Sequence, residues 1–285
     1  MSTGALAAGL YIVATPIGNL GDITLRALEV LRRVELIACE DTRVTATLAR
    51  RFELSTERVA YHDHNADIMR PKLLARLQAG AAVALVSDAG TPLVSDPGLK
   101  LVQAAVTAGI AVTAIPGPSA MLAALMVAGL PTDRFLFAGF LPPKQGQRRQ
   151  ALGELARVPA TLVFFETAPR LAEALADMTD VLGDRPAAIA RELTKLHEEV
   201  RRGGLGELAM HYGAGEAPRG EIVLVVGPPA ADVPALSAEE LDQRIGDALR
   251  TRSVREASAA VAAETGLPRR EIYARALALA GKRPA

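Results

Sequence analysis

The chain has little cysteine, few aromatic residues and no excess of either charge. One cysteine, Cys39, occurs among 285 residues, which excludes an intramolecular disulfide framework and is typical of a reducing, cytoplasmic compartment. Within the apolar run ELIAC we interpret Cys39 as a small core residue. Aromatic residues make up 4% and hydrophobic residues 50% of the chain, so the cores must be aliphatic. The net charge is zero, which argues against non-specific coating of nucleic acid and leaves RNA binding to local patches.

Several common catalytic and membrane signatures are also missing. There is no G-x-S-x-G nucleophile elbow, and the segment ATPIGNLGDIT (14–24) has neither a G-x-G-x-x-G pattern nor a P-loop lysine. The four histidines lack a metal-ligand spacing, so no metal site is predicted. No charged residue occurs between Lys100 and Asp133, but the Pro-Gly-Pro turn at 116–118 interrupts this stretch. It therefore indicates a buried strand, a turn and a buried helix rather than a membrane-spanning helix.

The order of the predicted elements indicates the fold class. Short aliphatic strands alternate with amphipathic helices over residues 1–117, which predicts an α/β domain with a largely parallel sheet. A second α/β domain is predicted over 118–228, and a C-terminal helical domain over 235–285 follows the linker GPPAADVP. Capping boxes at Ser237 and Ser253 indicate helix starts in the last domain. Its three short helices resemble a helix-turn-helix, and a small bundle that only packs on the main body is the alternative.

The strongest local feature is the loop LVSDAGTPLVSDPG (85–98), which begins at the end of a predicted strand. Gly90 can adopt a positive φ and let a ligand approach the backbone closely. Asp88 and Asp96 can accept hydrogen bonds from hydroxyl or ammonium groups. The loop suits a ribose and an amino-acid moiety better than a phosphate, because it has carboxylates and no lysine. The alternative is a turn-rich connection whose aspartates cap the next helix.

Further motifs stand at the ends of other predicted strands, where ligands bind in open α/β sheets. They are TPIGNLGDIT, CEDTR, PGPSA, FFETAPR, ARELTKLHEE and RGEIVLVVG. With SDAGTPLVSDPG, and in this order, they resemble the tetrapyrrole methylase superfamily, whose methyltransferases do not use the Rossmann G-x-G pattern. The resemblance covers residues 10–227, and the terminal helices match a helix-turn-helix found in the same family.

This resemblance implies two α/β domains with S-adenosylmethionine in the cleft between them, and a homodimer. The motif set is most similar to that of members which methylate the 2′-hydroxyl of cytidine 1402 in 16S rRNA of the small ribosomal subunit. Thr91 stands where the superfamily has the acidic residue of a G-D-P turn, and Asp88 is expected to supply that charge. The positions that the resemblance assigns to the cofactor pocket are Pro16, Ile17, Asp88, Gly90, Thr91, Pro92, Ser119, Ala120, Glu166 and Leu193.

A ribose hydroxyl is a poor nucleophile, so a base or a nearby charge should assist its reaction. We hypothesise that Glu40, Asp41, Glu192 or Lys195 performs this task. The basic side chains expected to contact RNA are Arg43, Arg170, Arg191, Lys144 and Arg148, together with the segment 250–255 and the arginines at 269 and 270. The alternative is that these charges form salt bridges between the two α/β domains.

Two competing functions stay open at this point. A corrin or sirohaem precursor C-methyltransferase of the same superfamily should carry G-x-G-P-G-D near its start and G-D-P in the cofactor turn. This chain has TPIGNLGD and GTP instead. The second competitor is a non-catalytic RNA-binding or ribosome-assembly factor, which would not bind S-adenosylmethionine.

Overall fold

A computed structural model describes residues 6–94, 98–215, 218–230, 238–265 and 269–280. The chain forms two compact units that divide after Pro228. The first unit contains two five-stranded sheets, which we call the N-terminal lobe (6–115) and the central lobe (120–226). No helix within the described ranges is long and apolar enough to cross a membrane. Asp96, Ser237 and most of the predicted turn at 265–267 lie outside the described residues.

The N-terminal lobe is built from short aliphatic strands. Its strands are β1 (Gly9–Val13), β2 (Leu36–Cys39), β3 (Glu57–Ala60), β4 (Ala82–Val86) and β5 (Val112–Ile115). Its helices are α1 (Leu25–Arg33), α2 (Thr42–Arg51), α3 (Ala66–Gln78) and α4 (Leu99–Thr107). The sheet is parallel throughout, in the order β3-β2-β4-β1-β5. Apolar residues pack on both of its faces, which explains why β4 is buried at every position.

Side-chain caps determine where two helices of this lobe begin. The Thr24 hydroxyl accepts a hydrogen bond from the Ala27 amide at 3.1 Å, at the start of α1. The Asp41 carboxylate accepts one from the Arg43 amide at 2.8 Å, at the start of α2. Such caps satisfy amides that the first helical turn leaves without a partner. They keep the preceding segments as loops at the carboxyl ends of β1 and β2.

The central lobe is a mixed sheet with helices on both faces. Its strands are β6 (Phe135–Phe140), β7 (Thr161–Thr167), β8 (Pro186–Arg191), β9 (Glu199–Gly204) and β10 (Glu221–Val226). Its helices are α5 (Ala120–Ala128), α6 (Gln145–Leu155), α7 (Leu171–Leu182) and α8 (Leu205–Gly213). The strand order is β6-β7-β10-β8-β9, and only the β6–β7 pair is parallel. Helix α5 packs on one face, and α6, α7 and α8 pack on the other.

Three elements of this lobe have no counterpart in the sequence prediction. Strand β6 has a bulge between Phe137 and Gly139, which breaks the alternation of buried and exposed side chains. Strand β9, EVRRGG, is a charged edge strand that pairs only with β8. Helix α6, QGQRRQALGEL, is polar along most of its length. It buries an arginine, Arg148, beside Leu152, so its sequence lacks a clear apolar stripe.

The second compact unit is a bundle of α9 (Ala238–Ala248), α10 (Val254–Thr265) and α11 (Arg269–Ala280). Its core includes Ile245, Val261 and Ile272. The predicted capping box at Ser253 is confirmed. The Ser253 hydroxyl donates to the Glu256 carboxylate at 2.8 Å, and the Glu256 amide donates back to that hydroxyl at 3.4 Å.

Candidate functional site

A large cavity of the first unit lies at the carboxyl ends of β1, β4 and β5. It has a volume of about 690 Å³, which is within the range of small-molecule sites. We call it the large cavity. The N-terminal lobe contributes Ile17 and the segment 89–91, and helix α5 contributes its first turn at 119–120. The central lobe contributes the end of β7, the loop after β8 and the start of β10.

Hydrogen bonds join the three loops that form the floor of the large cavity. The amides of Thr15 and Gly90 each donate to the other residue's carbonyl, at 2.9 and 3.0 Å. The Thr91 hydroxyl donates to the Pro118 carbonyl at 3.1 Å. Gly90 has a φ of 78°, and a Cβ there would lie 3.3 Å from Ile17 Cγ2. A glycine is therefore required for this turn, and it keeps the backbone open to a ligand.

The central-lobe wall of the large cavity is mainly apolar. Phe165 lies edge-on to Phe140, with ring centroids 5.6 Å apart, and Leu193 closes the wall beside it. The Glu166 side chain is fully buried. Its carboxylate accepts hydrogen bonds from the Thr167 amide at 2.7 Å and from the Arg170 guanidinium at 3.3 Å. These hydrogen bonds fix the Glu166 carboxylate within the wall of the cavity.

A second cavity of about 340 Å³ adjoins the first, and we call it the small cavity. Ile17, Ala89 and Glu221 line both cavities, so the two share a wall. The small cavity extends from this wall to helix α2, which contributes Val44 and Thr45. Its lining is richer in hydroxyl and charged groups than that of the large cavity. These polar residues are Thr15, Thr45, Thr47, Ser87, Asp88, Lys195 and Glu221.

Lys195 connects the two lobes beside the shared wall. Its ammonium donates to Glu192 Oε1 at 2.8 Å and to Glu221 Oε2 at 3.0 Å. Its stem passes directly over Gly18 of the N-terminal lobe, where a Cβ would lie 2.4 Å from Lys195 Cγ. Burial lowers the pKa of Lys195, but the hydrogen bonds to both glutamates outweigh it and raise the pKa above its ordinary value. Lys195 is therefore an ammonium at neutral pH and a hydrogen-bond donor, not a base.

The loop that carries Lys195 has a strained backbone. Strand β8 ends at Arg191, inside the motif ARELTKLHEE, and Glu192 and Thr194 then adopt positive φ angles of 50° and 68°. Such conformations cost about 1–3 kcal/mol each and persist where surrounding contacts enforce them. One of those contacts lies at Gly220, whose φ is 102° and where a Cβ would come within 2.4 Å of Glu192 Cδ. The loop is thus fixed by its neighbours in a geometry that presents Lys195.

The residues that the resemblance assigned to the cofactor divide between the two cavities. The large cavity is lined by Ile17, Gly90, Thr91, Ser119, Ala120, Glu166 and Leu193. Pro16 and Asp88 line the small cavity instead. Pro92 lines neither. Asp88 Oδ1 accepts a hydrogen bond from the Asp41 amide at 2.9 Å, so this carboxylate links the end of β4 to the start of α2.

The four candidates for activation of a hydroxyl differ in their suitability as a base. The hydrogen bond from Arg43 lowers the pKa of Asp41 to about 2, too low for efficient proton abstraction at neutral pH. The hydrogen bond from Lys195 lowers the pKa of Glu192. Glu40 follows β2 and is half-buried. Among the four, Lys195 is the one that lines a cavity.

The basic side chains predicted to contact RNA are in different environments. The Arg43 side chain is 89% exposed, although it pairs with Asp41, and Lys144 is exposed. Arg170 donates to the Leu141 carbonyl at 2.5 Å as well as to Glu166. Arg191 is tied to the Glu199 carboxylate and to a backbone carbonyl. The contacts of Arg170 and Arg191 all lie within the central lobe, so neither arginine forms the salt bridge between the two α/β domains that the alternative predicts.

The prediction that Arg148 binds RNA is wrong. Its side chain is 2% exposed and forms an ion pair with Asp177, which is equally buried, at 2.6 Å. Asp177 also accepts hydrogen bonds from Gln145 and Arg149. A guanidinium enclosed in the core by a carboxylate cannot reach a phosphate. The basic run in the sequence gave no indication of this, because the partner carboxylate lies on α7, about thirty residues away.

Several site residues were not singled out from the sequence. Gly220 and Glu221 lie in the motif RGEIVLVVG, but nothing in that motif indicates that they contact the loop after β8. Thr45 lines the small cavity from the second turn of α2. Its position one turn after the CEDTR motif was the available signal. Phe165 lines the large cavity from within FFETAPR, where it reads as an ordinary strand residue.

The chain is similar to known proteins over most of its length. Residues 9–209 match the family Tetrapyrrole (Corrin/Porphyrin) Methylases, and residues 235–280 match the RsmI C-terminal HTH domain. A protein of Mesorhizobium japonicum named ribosomal RNA small subunit methyltransferase I is 53% identical over 95% of this chain and 92% of its own length. One of the same name from Erythrobacter litoralis is 52% identical over 98% of both chains.

Solved structures share the fold of the first unit at low sequence identity. Uroporphyrin-III-C-methyltransferase from Thermus thermophilus superposes with a TM-score of 0.55 and is 23% identical, over 77% of this chain and 94% of its own. A diphthine synthase superposes with a TM-score of 0.59 and is 17% identical, over 76% of this chain and 89% of its own.

Proposed function

The chain belongs to the tetrapyrrole methylase family, in its group of ribosomal RNA small subunit methyltransferases I, and from this premise we propose what its cavities bind. It is an S-adenosylmethionine-dependent methyltransferase. We propose that the large cavity binds the cofactor and that the acceptor is the 2′-hydroxyl of cytidine 1402 in 16S rRNA. The observation that carries the proposal is the similarity to these methyltransferases over nearly the whole chain.

The residues of the large cavity fit the cofactor. Its volume suits a ligand of nucleoside size or larger, and the apolar surface of Phe165 and Leu193 suits the face of an adenine. The Gly90 turn leaves room that any Cβ would fill. When bound, S-adenosylmethionine supplies an electrophilic methyl group on a sulfonium. The protein's part is to hold the acceptor oxygen in line with that methyl group and to exclude water, and positioning of this kind accounts for much of the acceleration.

Basic side chains of the protein that can contact RNA lie at two places. Arg43 lies at the first turn of α2, beside the small cavity, with an exposed guanidinium. The bundle of the second unit carries exposed arginines at 250, 252, 255 and 270. We propose that both groups contact phosphates, since phosphate contacts position a protein on nucleic acid without reading its sequence. The protein is proposed to act as a homodimer in the cytoplasm, where its ribosomal substrate assembles, and light scattering of purified protein tests the dimer.

Two measurements on the purified full chain test the function. Calorimetry with S-adenosylmethionine should give one binding event per chain, whereas a pure RNA-binding factor would show none. Transfer of a labelled methyl group to small ribosomal subunits, followed by mapping of 2′-O-methylation, should identify cytidine 1402. Cells that lack the gene should lose this modification. Transfer to a tetrapyrrole precursor, with none to ribosomal RNA, would favour the C-methyltransferase alternative.

A further inference from the structure

The small cavity is not accounted for by cofactor binding. It is separated from the large cavity only by the shared wall of Ile17, Ala89 and Glu221. Adjoining compartments that share lining residues match the requirement of a methyl transfer, in which donor and acceptor must meet at a distance of about 3 Å. The volume of about 340 Å³ lies at the lower end of the range for small-molecule sites. It therefore suits a single nucleoside.

The chemistry of its lining suits a ribose. Thr15, Thr45 and Ser87 contribute hydroxyl-bearing side chains, and Asp88 contributes a carboxylate. Asp88 Oδ1 is used by the Asp41 amide, while Oδ2 accepts no hydrogen bond from any residue that the structure describes. Ribose hydroxyls are both donors and acceptors, so such a lining can satisfy them. The hydroxyls of Thr15 and Ser87 already donate to the carbonyls of Ser87 and Ala89, so an apolar ligand would reduce binding chiefly by covering the Asp88 carboxylate.

Lys195 stands where this compartment meets the shared wall. An ammonium has three donors, and two of them are used by Glu192 and Glu221. Gly18 gives the stem room to cross between the lobes, and the strained Glu192–Thr194 backbone fixes where it begins. A positive group at this place can donate a hydrogen bond to an oxygen that gains nucleophilic character. An apolar side chain of similar length, such as that of methionine, has no donor.

We propose that the small cavity is the acceptor-nucleoside site and that Lys195 donates its third hydrogen bond to the ribose 2′-oxygen. This inference rests on the proposed function. In the reaction the 2′-oxygen bonds to the methyl carbon as the carbon–sulfur bond breaks, and the bonding electron pair stays on sulfur. The hydroxyl proton passes to water. Lys195 keeps its own protons and orients the oxygen, while Val44, which is 44% exposed on α2, borders the entrance to the site.

The test uses two variants of the full chain and one matched control. Lys195→Met keeps the stem over Gly18 but removes the donor, and it should lower kcat by about 100- to 1,000-fold, as loss of one preorganised donor does. Val44→Phe fills the entrance and should lower kcat/KM about 100-fold by displacing the ribose. Val106→Phe places the same side chain at a position that is 60% exposed and lines neither cavity. It should behave as wild type.

The affinity for S-adenosylmethionine, measured by calorimetry, separates the possible outcomes. Both test variants should bind the cofactor within about twofold of wild type while losing transfer to small ribosomal subunits, and Lys195→Arg should recover part of kcat. Full transfer by both variants would overturn the inference and leave the proposed function intact. Loss of cofactor binding in both would also overturn it, since the small cavity would then belong to the cofactor. If wild type itself neither bound the cofactor nor methylated the subunit, the proposed function would have failed instead.

Discussion

Removal of the Asp177 carboxylate should destabilise the first unit strongly. Its partner Arg148 is 2% exposed, so Asp177→Ala leaves a guanidinium in the core whose remaining carboxylate partner is the largely exposed Glu173, at 3.4 Å. Breaking a buried pair in this way costs about 3–5 kcal/mol, a large part of the stability of a typical domain. For a unit of this size that corresponds to a fall in Tm of about 6–20 °C. Urea unfolding followed by circular dichroism measures the change in the free energy of unfolding.

Two further variants show whether the unpaired charge is the cause. The double variant Arg148→Met with Asp177→Leu removes both charges and fills their space with apolar side chains. Its free energy of unfolding should exceed that of Asp177→Ala by at least about 2 kcal/mol, because apolar replacement of a buried ion pair avoids an unpaired charge. Glu173→Gln alters the 72% exposed partner of Arg148 and should cost less than about 1 kcal/mol. A loss of under 1 kcal/mol in Asp177→Ala would refute this account of the core.

Three other predictions concern pH, backbone space and a helix cap. Burial raises the pKa of Asp177, but its hydrogen bonds, chiefly from Arg148, outweigh this effect and lower the pKa. The contribution of Asp177 to stability should therefore be complete above about pH 4, the pKa of the unfolded state, and be lost on acidification below that pH. In an acid titration, the free energy of unfolding of Asp177→Ala should decline less steeply than that of wild type. Gly220→Ala should displace Glu192 and slow methyl transfer by roughly tenfold or more. Gly80 also has a positive φ but nothing within 4 Å of an added Cβ, so the control Gly80→Ala should leave kcat unchanged. Equal rates for the two variants would contradict the argument that crowding at Gly220 displaces Glu192. Ser253→Ala should speed hydrogen exchange at the start of α10 by removing a cap worth about 1 kcal/mol, and Ser253→Asp, which can cap equally well, should restore slow exchange.

The sequence predicted the elements whose local pattern agrees with their tertiary environment. Strands β1, β2 and β4 at the centre of the N-terminal lobe are buried at nearly every position, so their aliphatic runs are unambiguous. Strand β9 and helix α6 were missed because their burial depends on distant partners. EVRRGG forms an edge strand through pairing with β8, and Arg148 is a core residue only because Asp177 lies opposite it.

The site was predictable to the extent that strand ends reveal it. Ile17, Gly90 and Ser119 follow strands or turns that the sequence makes clear, and all three line the large cavity. The sequence could not separate the two cavities, so Asp88, which lines the small cavity, was grouped with residues of the large one. That separation depends on how the lobes approach each other across Lys195 and Gly18. Contacts of this kind have no local signal.

The bridge between Thr15 and Gly90 bears on how such a protein can change its specificity. Both of its hydrogen bonds use main-chain atoms only, so substitutions of Thr15 keep them. Proline is the exception, because it removes one N–H donor. Substitutions of side chains on either side of the wall therefore leave these main-chain hydrogen bonds in place. Variants randomised at Thr45 and Thr47 can be screened for new methyl acceptors, while the loops around the proposed cofactor site keep their geometry. Engineering for altered acceptors should begin on the α2 side of the wall and leave the glycine turn untouched.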